Sequence, residues 1–270
     1  MIQQILIDDR AIRKTKSILS GYRKENKPTH YFALDVSRKG LEDSLGCLKR
    51  EFQDSPFITI TGLLGTYDDC VEWLSSLKSP RKMGSVTILW LGNSIANLDS
   101  QEHASAFLER FRTACKQVCL ACRFVVSTDI CQSDDKVREA YDVDRPSCNK
   151  FLLNALEAAN RVLGYNAFDP GEWELNSRLD ERERNLHFYL TARRDVSVQL
   201  PLRNDNGSAV TVRKGEGVRC MTSGKWSEEA MGQVCRRAGF HIQQRWKDES
   251  GDYCECNHQL LISERPNQLS

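Results

Sequence analysis

The chain has 270 residues, a formal net charge of +1 and 28% charged residues, which allows one large α/β domain or a core with a smaller subdomain. The balanced charge gives no sign of a nucleic-acid-binding tail, and no apolar run approaches the roughly 18 residues of a membrane span. Eleven cysteines without a basic, secretory-type start favour free thiols in a reducing compartment, so we expect a cytoplasmic protein that contacts neither nucleic acid nor a membrane.

Strand and helix patterns alternate through the first half of the chain. Short apolar runs predict strands at residues 2–7, 31–35, 57–61, 86–91 and 123–129. The fourth run, 86–91, carries no charge, which is typical of a strand buried on both faces. The segments between the runs have helical periodicity, with Asp99 or Ser100 as a cap for the fourth helix. This alternation predicts a parallel, doubly wound sheet.

The pattern changes after residue 129. A helical segment at 137–163 has a break near its single proline, and alternation predicts a strand at 186–200 with 209–212 as a possible partner. A helix at 227–238 then precedes two strands, 240–246 and 253–262, which a short turn must make antiparallel. Five βα units, an inserted segment and a terminal hairpin are the plan of a class I methyltransferase. We therefore expect an α/β fold, a Rossmann-like sheet with an inserted α+β subdomain. The predicted core is 1–130 with 226–270, and the subdomain is 131–225.

Small and polar residues follow the fourth predicted strand at Gly92, Ser94 and Asn97. Ligands of open α/β sheets bind outside the carboxyl ends of the strands, so Ser94 and Asn97 are the first candidates for a ligand site. The alternative is a capped βα turn with no chemistry. Asp35 ends the second strand, where Rossmann-like folds place a carboxylate against a ribose, although a solvated cap is also common there.

Aromatic and thiol groups supply further candidates with plain alternatives. Tyr67 follows the third strand, where it either borders an adenine or packs at the rim of the core. Tyr141 either hydrogen-bonds a substrate carboxylate or packs the subdomain. The spacing of Cys115, Cys119 and Cys122 is used for iron–sulfur clusters, but here these residues span a helix and a buried strand. Cys254, Cys256 and His258 lack a fourth ligand for zinc, so we predict no metal site.

Several motifs together resemble one family. They are YFALDVS at 31–37, GLLGTYDD at 62–69, LGNSIAN at 91–97, AYD at 140–142, FLLN at 151–154, AANR at 158–161, ARRDV at 192–196, SGKW at 223–226 and GDY at 251–253. In combination they are similar to the histidine-specific, S-adenosylmethionine-dependent methyltransferases. That family includes the histidine Nα-methyltransferase of ergothioneine synthesis and the fungal dimethylallyltryptophan N-methyltransferase of ergot alkaloid pathways. The resemblance covers nearly the whole chain.

The resemblance implies methylation of the α-amino group of an amino acid, histidine or a tryptophan derivative, in fungal secondary metabolism. It implies S-adenosylmethionine as the cofactor, with Asp35 on the ribose and Thr66 and Tyr67 at the adenine. The remaining cofactor-binding candidates are Gly92 and Lys14.

For the substrate, the resemblance gives Asn97 the α-amino group and Tyr141 the carboxylate, and these two are the catalytic candidates. Ser223 would face the substrate side chain. Ser94 and Met221 complete the substrate-binding candidates.

Three departures from the family favour an alternative. The family has a Glu-Leu-Gly-x-Gly loop where this chain has LIDDR at 6–10, just before Arg13, Lys14 and Thr15. The family also has an upstream segment that this chain lacks, so we expect an N-terminal truncation. Met221 replaces a family glutamate, which makes histidine a poorer acceptor. The alternative is a catalytically impaired, truncated or pseudo-methyltransferase that serves as a binding protein.

Overall fold

The computed structural model describes residues 4–8, 12–77, 84–200, 208–247 and 257–264. Contacts between Cα atoms divide the chain into two compact units. The first unit contains residues 1–130 and 226–270, and the second contains residues 131–225.

Strands and helices alternate at the start of the chain, and strands dominate its second half. The strands are β1 (Gln4–Asp8), β2 (Thr29–Asp35), β3 (Ile58–Leu64), β4 (Gly84–Trp90), β5 (Leu120–Asp129), β6 (Trp173–Asp180), β7 (Asn185–Ala192), β8 (Val196–Leu200), β9 (Ser208–Val212), β10 (Gly217–Gly224), β11 (Phe240–Lys247) and β12 (Asn257–Glu264). The α-helices are α1 (Ile12–Lys24), α2 (Arg38–Phe52), α3 (Tyr67–Ser76), α4 (Gln101–Gln117), α5 (Asp134–Ala140), α6 (Pro146–Leu163) and α7 (Glu228–Arg237).

The first unit is built on a seven-stranded sheet in the order β11-β12-β5-β4-β1-β2-β3. Strands β1 to β5 pair in parallel, whereas β12 is antiparallel to both β5 and β11. The chain builds outward from β1 to β3 and then returns to place β4 on the other side of β1. This reversal leaves a crevice at the carboxyl ends of β1 and β4. The α/β class I methyltransferase sheet expected from the sequence, including its antiparallel terminal hairpin, is confirmed.

Aromatic packing against β4 and β5 forms the centre of this unit. The ring centroids of Trp90 and Phe107 are 5.3 Å apart. The ring centroid of Phe124 lies 5.7 Å from that of Phe111 and 5.4 Å from that of Phe240. Every residue of β4 is buried, as its uncharged sequence predicts. Ser100 caps α4 by accepting a hydrogen bond from the His103 amide at 3.1 Å, so of the two predicted caps Ser100 is the one used.

The second unit contains a three-stranded antiparallel sheet, β10-β7-β6, and a two-stranded sheet, β8-β9. The predicted strand at 186–200 is wrong as a single element because a turn at 193–195 divides it into β7 and β8. The predicted pairing of its end with 209–212 is confirmed, since β8 pairs with β9. The helical segment is broken before Pro146, which begins α6 and cannot extend a helix from within.

The end of the third strand also differs from the expected one. The third strand extends to Leu64, three residues beyond its predicted end at residue 61. A Cβ at Gly62 would lie 2.7 Å from the Leu45 side chain, so this glycine serves packing of α2 on β3 rather than a turn. The predicted start of the last strand, residues 253–256, and the motif at 251–253 lie outside the described residues.

No helix in the described part of the chain is long and apolar enough to cross a membrane.

His30 of β2 contacts Thr61 of β3, and its environment predicts that the free energy of unfolding depends on pH. Its Nε2 lies 2.8 Å from the Thr61 hydroxyl oxygen and its ring stacks on Phe32, while burial lowers the pKa of the imidazole below its usual value. The unfolded chain therefore binds a proton here more readily than the folded chain, so this contribution is present above the unfolded pKa and is lost as the pH falls. Between about pH 7.5 and pH 5.5, denaturant titrations should show a larger loss of unfolding free energy in the native protein than in His30→Gln. Equal losses in the two proteins would contradict this assignment.

Candidate functional site

The candidate cofactor residues of the first unit lie along one edge of its sheet. Because β1, β2 and β4 are parallel neighbours, their carboxyl ends meet at the same edge. In the register, Asp8 of β1 pairs with Ala33 of β2 and Leu89 of β4. Asp35 and the turn after Trp90 therefore both lie just beyond the end of β1, beside the crevice.

Asp35 is a buried carboxylate with an apolar rim. The residue is only 5% exposed, and its Oδ1 accepts a hydrogen bond from the Ser37 amide at 2.8 Å. Ser37 in turn caps α2 by accepting from the Gly40 amide. Val36 follows Asp35 and is 68% exposed, and Leu64, which pairs with Asp35, is 48% exposed. Exposed aliphatic side chains on both sides of a buried carboxylate suit a ligand with a hydroxylated ring and a flat apolar ring. Neither Val36 nor Leu64 was among the site residues predicted from the sequence.

Thr66 is engaged by its own helix. Its amide and its hydroxyl both donate to Asp69 Oδ2, at 2.7 and 2.8 Å, and its hydroxyl oxygen accepts from the Asp69 amide. This capping box begins α3, and hydrogen bonds from the Thr66 amide and hydroxyl lower the pKa of the Asp69 carboxyl. The site candidate Thr66 is thus fixed in place, with both polar groups satisfied within the chain.

Tyr67 packs at the rim of the aromatic core. Its ring lies 5.0 Å from Trp90 and meets Phe107 edge-on at 5.7 Å. Packing at the rim of the core was one of the two alternatives given for Tyr67 from the sequence. These contacts also place the Tyr67 ring near the end of β4.

The turn after β4 is held rigidly by side-chain hydrogen bonds. Gly92 and Asn93 both have positive φ, 104° and 66°. Asn93 Oδ1 accepts from the Asp129 amide at 2.9 Å, which joins the ends of β4 and β5, and Trp90 Nε1 donates to the Ser94 hydroxyl at 2.6 Å. A single 3-10 turn, Ser94–Asn97, follows.

Asn97 ends this 3-10 turn. Ile95 and Ala96 are fully buried and anchor the turn, whereas Asn97 is exposed. The structure therefore brings Gly92, Ser94 and Asn97 into one rigid turn and presents the Asn97 amide outward.

The conformation of Gly92 yields a stability prediction with a matched control. A Cβ at Gly92 or at Gly21 would meet no atom within 4 Å, but only Gly92 has a positive φ. Gly92→Ala should lower the unfolding free energy by about 1–2 kcal/mol through backbone strain. Gly21→Ala lies within α1 and should raise it by about 0.5–1 kcal/mol. Denaturant titrations of both variants check this, and a shift of the same sign in the two would refute it.

Lys14 lies exposed in the first turn of α1, the helix that follows β1. Asp9 and Arg10, which stand in place of the family's glycine loop, lie outside the described residues, as do the side-chain contacts of Asp8.

The second unit brings Tyr141 and Ser223 together around a buried lysine. Lys225 is 0% exposed, and its Nζ donates to the Tyr141 hydroxyl at 2.9 Å and to the Ser223 hydroxyl at 3.1 Å. The two hydroxyl oxygens are 3.3 Å apart, and the ammonium also lies 4.4 Å from the centroid of the Tyr141 ring. Backbone bonds fix the lysine, since its amide donates to the Arg184 carbonyl and its carbonyl accepts from Gln132 Nε2. The motif SGKW at 223–226 contained this lysine, but its burial could not be seen in the sequence.

Met221 lies on the same strand as Ser223. It pairs with Phe188 of β7, and a bulge between Arg219 and Met221 sets its register. The Phe188 ring is fully buried and lies 5.8 Å from that of Tyr141. Met221 is half-buried, so the side chains near Tyr141 include an apolar, sulfur-containing surface.

The cysteine motifs supply no metal centre in the described part of the chain. Cys115 and Cys122 are buried and Cys119 is exposed, and no group of three potential ligands is close enough to hold a metal ion there. Cys254 and Cys256 lie outside the described residues.

The sheet order, with its antiparallel β12, is that of the class I methyltransferase fold. Residues 10–259 match the family described as histidine-specific, SAM-dependent methyltransferases, and the chain belongs to that family. An N-methyltransferase of Aspergillus terreus, benX, is 42% identical over 93% of this chain and 69% of its own length. The 4-dimethylallyltryptophan N-methyltransferase easF of Epichloe festucae var. lolii is 27% identical over 90% of this chain and 72% of its own length. Among solved structures, the glycopeptide N-methyltransferase MtfA in complex with S-adenosylhomocysteine has a TM-score of 0.39 and 14% identity, over 98% of this chain and 82% of its own.

Proposed function

We propose that this enzyme transfers a methyl group to the α-amino group of an amino acid, and that a tryptophan derivative is its acceptor, in fungal secondary metabolism. The observation that carries the proposal is the alignment of a buried carboxylate, Asp35, and an exposed amide, Asn97, along the carboxyl edge of one parallel sheet. The name of the easF relative, which specifies an N-methylated tryptophan derivative, supports the choice of acceptor.

The residues at the end of β2 fit S-adenosylmethionine. Asp35 keeps one carboxylate oxygen on the Ser37 amide, and a carboxylate accepts several hydrogen bonds at once, as a ribose diol requires. Val36 and Leu64 are exposed beside it and would contact the adenine. When bound, the cofactor supplies the methyl group from its sulfonium. In this proposal, Gly92 and Lys14 contribute to the same site and Tyr67 supports it through its packing on Trp90.

Asn97 is proposed to orient the acceptor amine. Its amide oxygen accepts a hydrogen bond from the amine and leaves the nitrogen lone pair directed at the methyl donor. An amide is neutral, so it does not stabilise the unreactive ammonium form as a carboxylate would. The Gly92–Ser94 turn holds Asn97 rigidly, and rigid positioning is the main catalytic contribution available to a direct methyl transfer.

Met221 supports an indole acceptor over histidine. A thioether is a weak hydrogen-bond acceptor and offers little to an imidazole N–H, whereas it makes favourable contacts with aromatic rings. The paired Phe188 adds apolar surface beside it. In this proposal Tyr141 binds a polar group of the acceptor, and Ser223 supports Tyr141 across the 3.3 Å between the two hydroxyl oxygens.

A methyl-transfer assay tests the proposal. The chain is incubated with S-adenosylmethionine and, in turn, L-histidine, L-tryptophan and 4-dimethylallyltryptophan, and products are identified by mass spectrometry. We expect an N-methylated product with a higher kcat/KM for the two tryptophans than for histidine. A folded chain that binds S-adenosylhomocysteine but methylates none of these acceptors would favour the alternative of a binding protein without activity. The retained Asp35, Asn97, Tyr141 and Ser223 favour the enzyme.

A further inference from the structure

The Lys225 cluster is defined by Lys225, Tyr141 and Ser223. It contains two hydroxyl hydrogens, and only one of them can be donated within the cluster. Each hydroxyl carries one hydrogen and accepts from the Lys225 ammonium. A mutual hydrogen bond across the 3.3 Å between the hydroxyls takes one hydrogen. Within the described residues, neither hydroxyl has a further partner. The second hydrogen therefore points to an acceptor that the described chain does not supply.

Exposure decides which hydroxyl faces outward. Ser223 is 4% exposed, while Tyr141 is half-buried. The consistent arrangement has Ser223 donating to the Tyr141 oxygen and Tyr141 donating to the external acceptor. Lys225 and Ser223 then both donate to the phenol oxygen, which strengthens the phenol as a donor.

An ammonium beside the phenol favours an anionic acceptor. Lys225 is fully buried, so water screens its ammonium little, and the phenol hydroxyl is 2.9 Å from that charge. A hydrogen bond to a carboxylate is strengthened in such a field. The α-carboxylate is the anionic group that every free amino acid carries.

We propose that Lys225 is a positioning residue that fixes the Tyr141 hydroxyl as a donor to the acceptor's α-carboxylate, and thereby restricts methylation to acceptors that retain this group. The inference rests on the proposed function, because it concerns the acceptor of that reaction. It adds that decarboxylated amines should be poor substrates. It also attributes this selectivity to Lys225, which does not itself hydrogen-bond the acceptor.

The test compares L-tryptophan with tryptamine, which differ by the carboxylate. For each protein the ratio of kcat/KM for the two substrates is measured, so that general losses of activity cancel. Lys225→Met, a substitution of similar volume, should lower this ratio by about 10- to 100-fold, which is the worth of a hydrogen bond to a charged group. Lys214→Met, at an exposed lysine in the turn before β10, is the matched control and should leave the ratio unchanged.

A double-variant cycle shows whether Lys225 acts through Tyr141. Tyr141→Phe should lower the ratio by itself, and adding Lys225→Met to it should change the ratio further by less than about threefold, since coupled residues are not additive. Titration with S-adenosylhomocysteine checks that each variant retains a folded core. If Lys225→Met does not fold, the ratio in Tyr141→Phe is the deciding measurement. An unchanged ratio in Tyr141→Phe would show that Tyr141 does not donate to the carboxylate, and the proposal would then be wrong.

The failures of the two proposals are distinguishable. Methylation of tryptophan with an unaltered ratio in Lys225→Met would overturn the role of Lys225 and leave the proposed function intact. If the native chain methylates neither tryptophan nor histidine, nor their decarboxylated amines, the proposed function fails and the role of Lys225 fails with it.

Discussion

Asp35→Asn should weaken the binding of S-adenosylhomocysteine by about 100-fold, which is within the range for the loss of one hydrogen bond to a charged acceptor. The amide keeps an oxygen for the Ser37 amide, so the cap of α2 is retained and the fold should be preserved. What changes is the second oxygen, which becomes an NH₂ donor, and the negative charge, which is lost. A ribose diol needs two acceptors on one group, and asparagine supplies one. Titration calorimetry of the native and variant chains measures the effect directly.

Asp54→Asn is the matched control for Asp35→Asn. Asp54 is exposed in the segment after α2. The Asp54→Asn substitution removes the same charge from the same unit without altering the end of β2. The affinity of the Asp54→Asn variant for S-adenosylhomocysteine should equal that of the native chain. If Asp35→Asn binds as tightly as Asp54→Asn, the carboxylate does not hold the ribose, and the assignment of the cofactor edge to β2 is wrong.

The residues that end β2 and β4 could be located from the sequence because their causes are local. An uncharged run ending in Gly92 marks a buried strand and its turn, and the apolar run before Asp35 does the same. Parallel pairing then brings the two strand ends together. Sequence patterns were sufficient here because the strand, its burial and its end all depend on neighbouring residues.

Long-range packing explains what the sequence patterns missed. Gly62 has the composition of a loop, but it continues β3 because it pairs with Ala33 of β2, and a Cβ at Gly62 would crowd Leu45 and Leu41 of α2. The first half of β10 is mostly exposed and lacks alternation, so its strand structure follows from pairing with β7. Lys225 has no local signal at all, because lysine is ordinarily a surface residue and its burial arises from the tertiary structure of the second unit.

Asn97→Ala should lower kcat/KM for the amino-acid acceptor by about 100-fold or more, because an amine that is not oriented rarely presents its lone pair to the methyl donor. Affinity for S-adenosylhomocysteine should stay near that of the native chain, since the 3-10 turn is anchored by Ile95 and Ala96 and not by the exposed Asn97 side chain. Steady-state kinetics and titration calorimetry on the same preparation separate the two effects. Asn154→Ala, at an exposed position of α6, makes the same substitution and should leave both quantities unchanged.

Asn97→Asp distinguishes orientation of the amine from simple occupation of space. The carboxylate keeps the shape and the acceptor oxygen, but its charge stabilises the ammonium form of the bound acceptor and raises the pKa of that amine. Because only the neutral amine has a lone pair to react, the pH at which activity rises should move upward in this variant relative to the native chain. If the two pH profiles coincide, or if Asn97→Ala retains native kcat/KM, Asn97 does not contact the amine. A loss of cofactor affinity in Asn97→Ala would instead place Asn97 in the cofactor site, and the acceptor amine would have to be oriented by another residue.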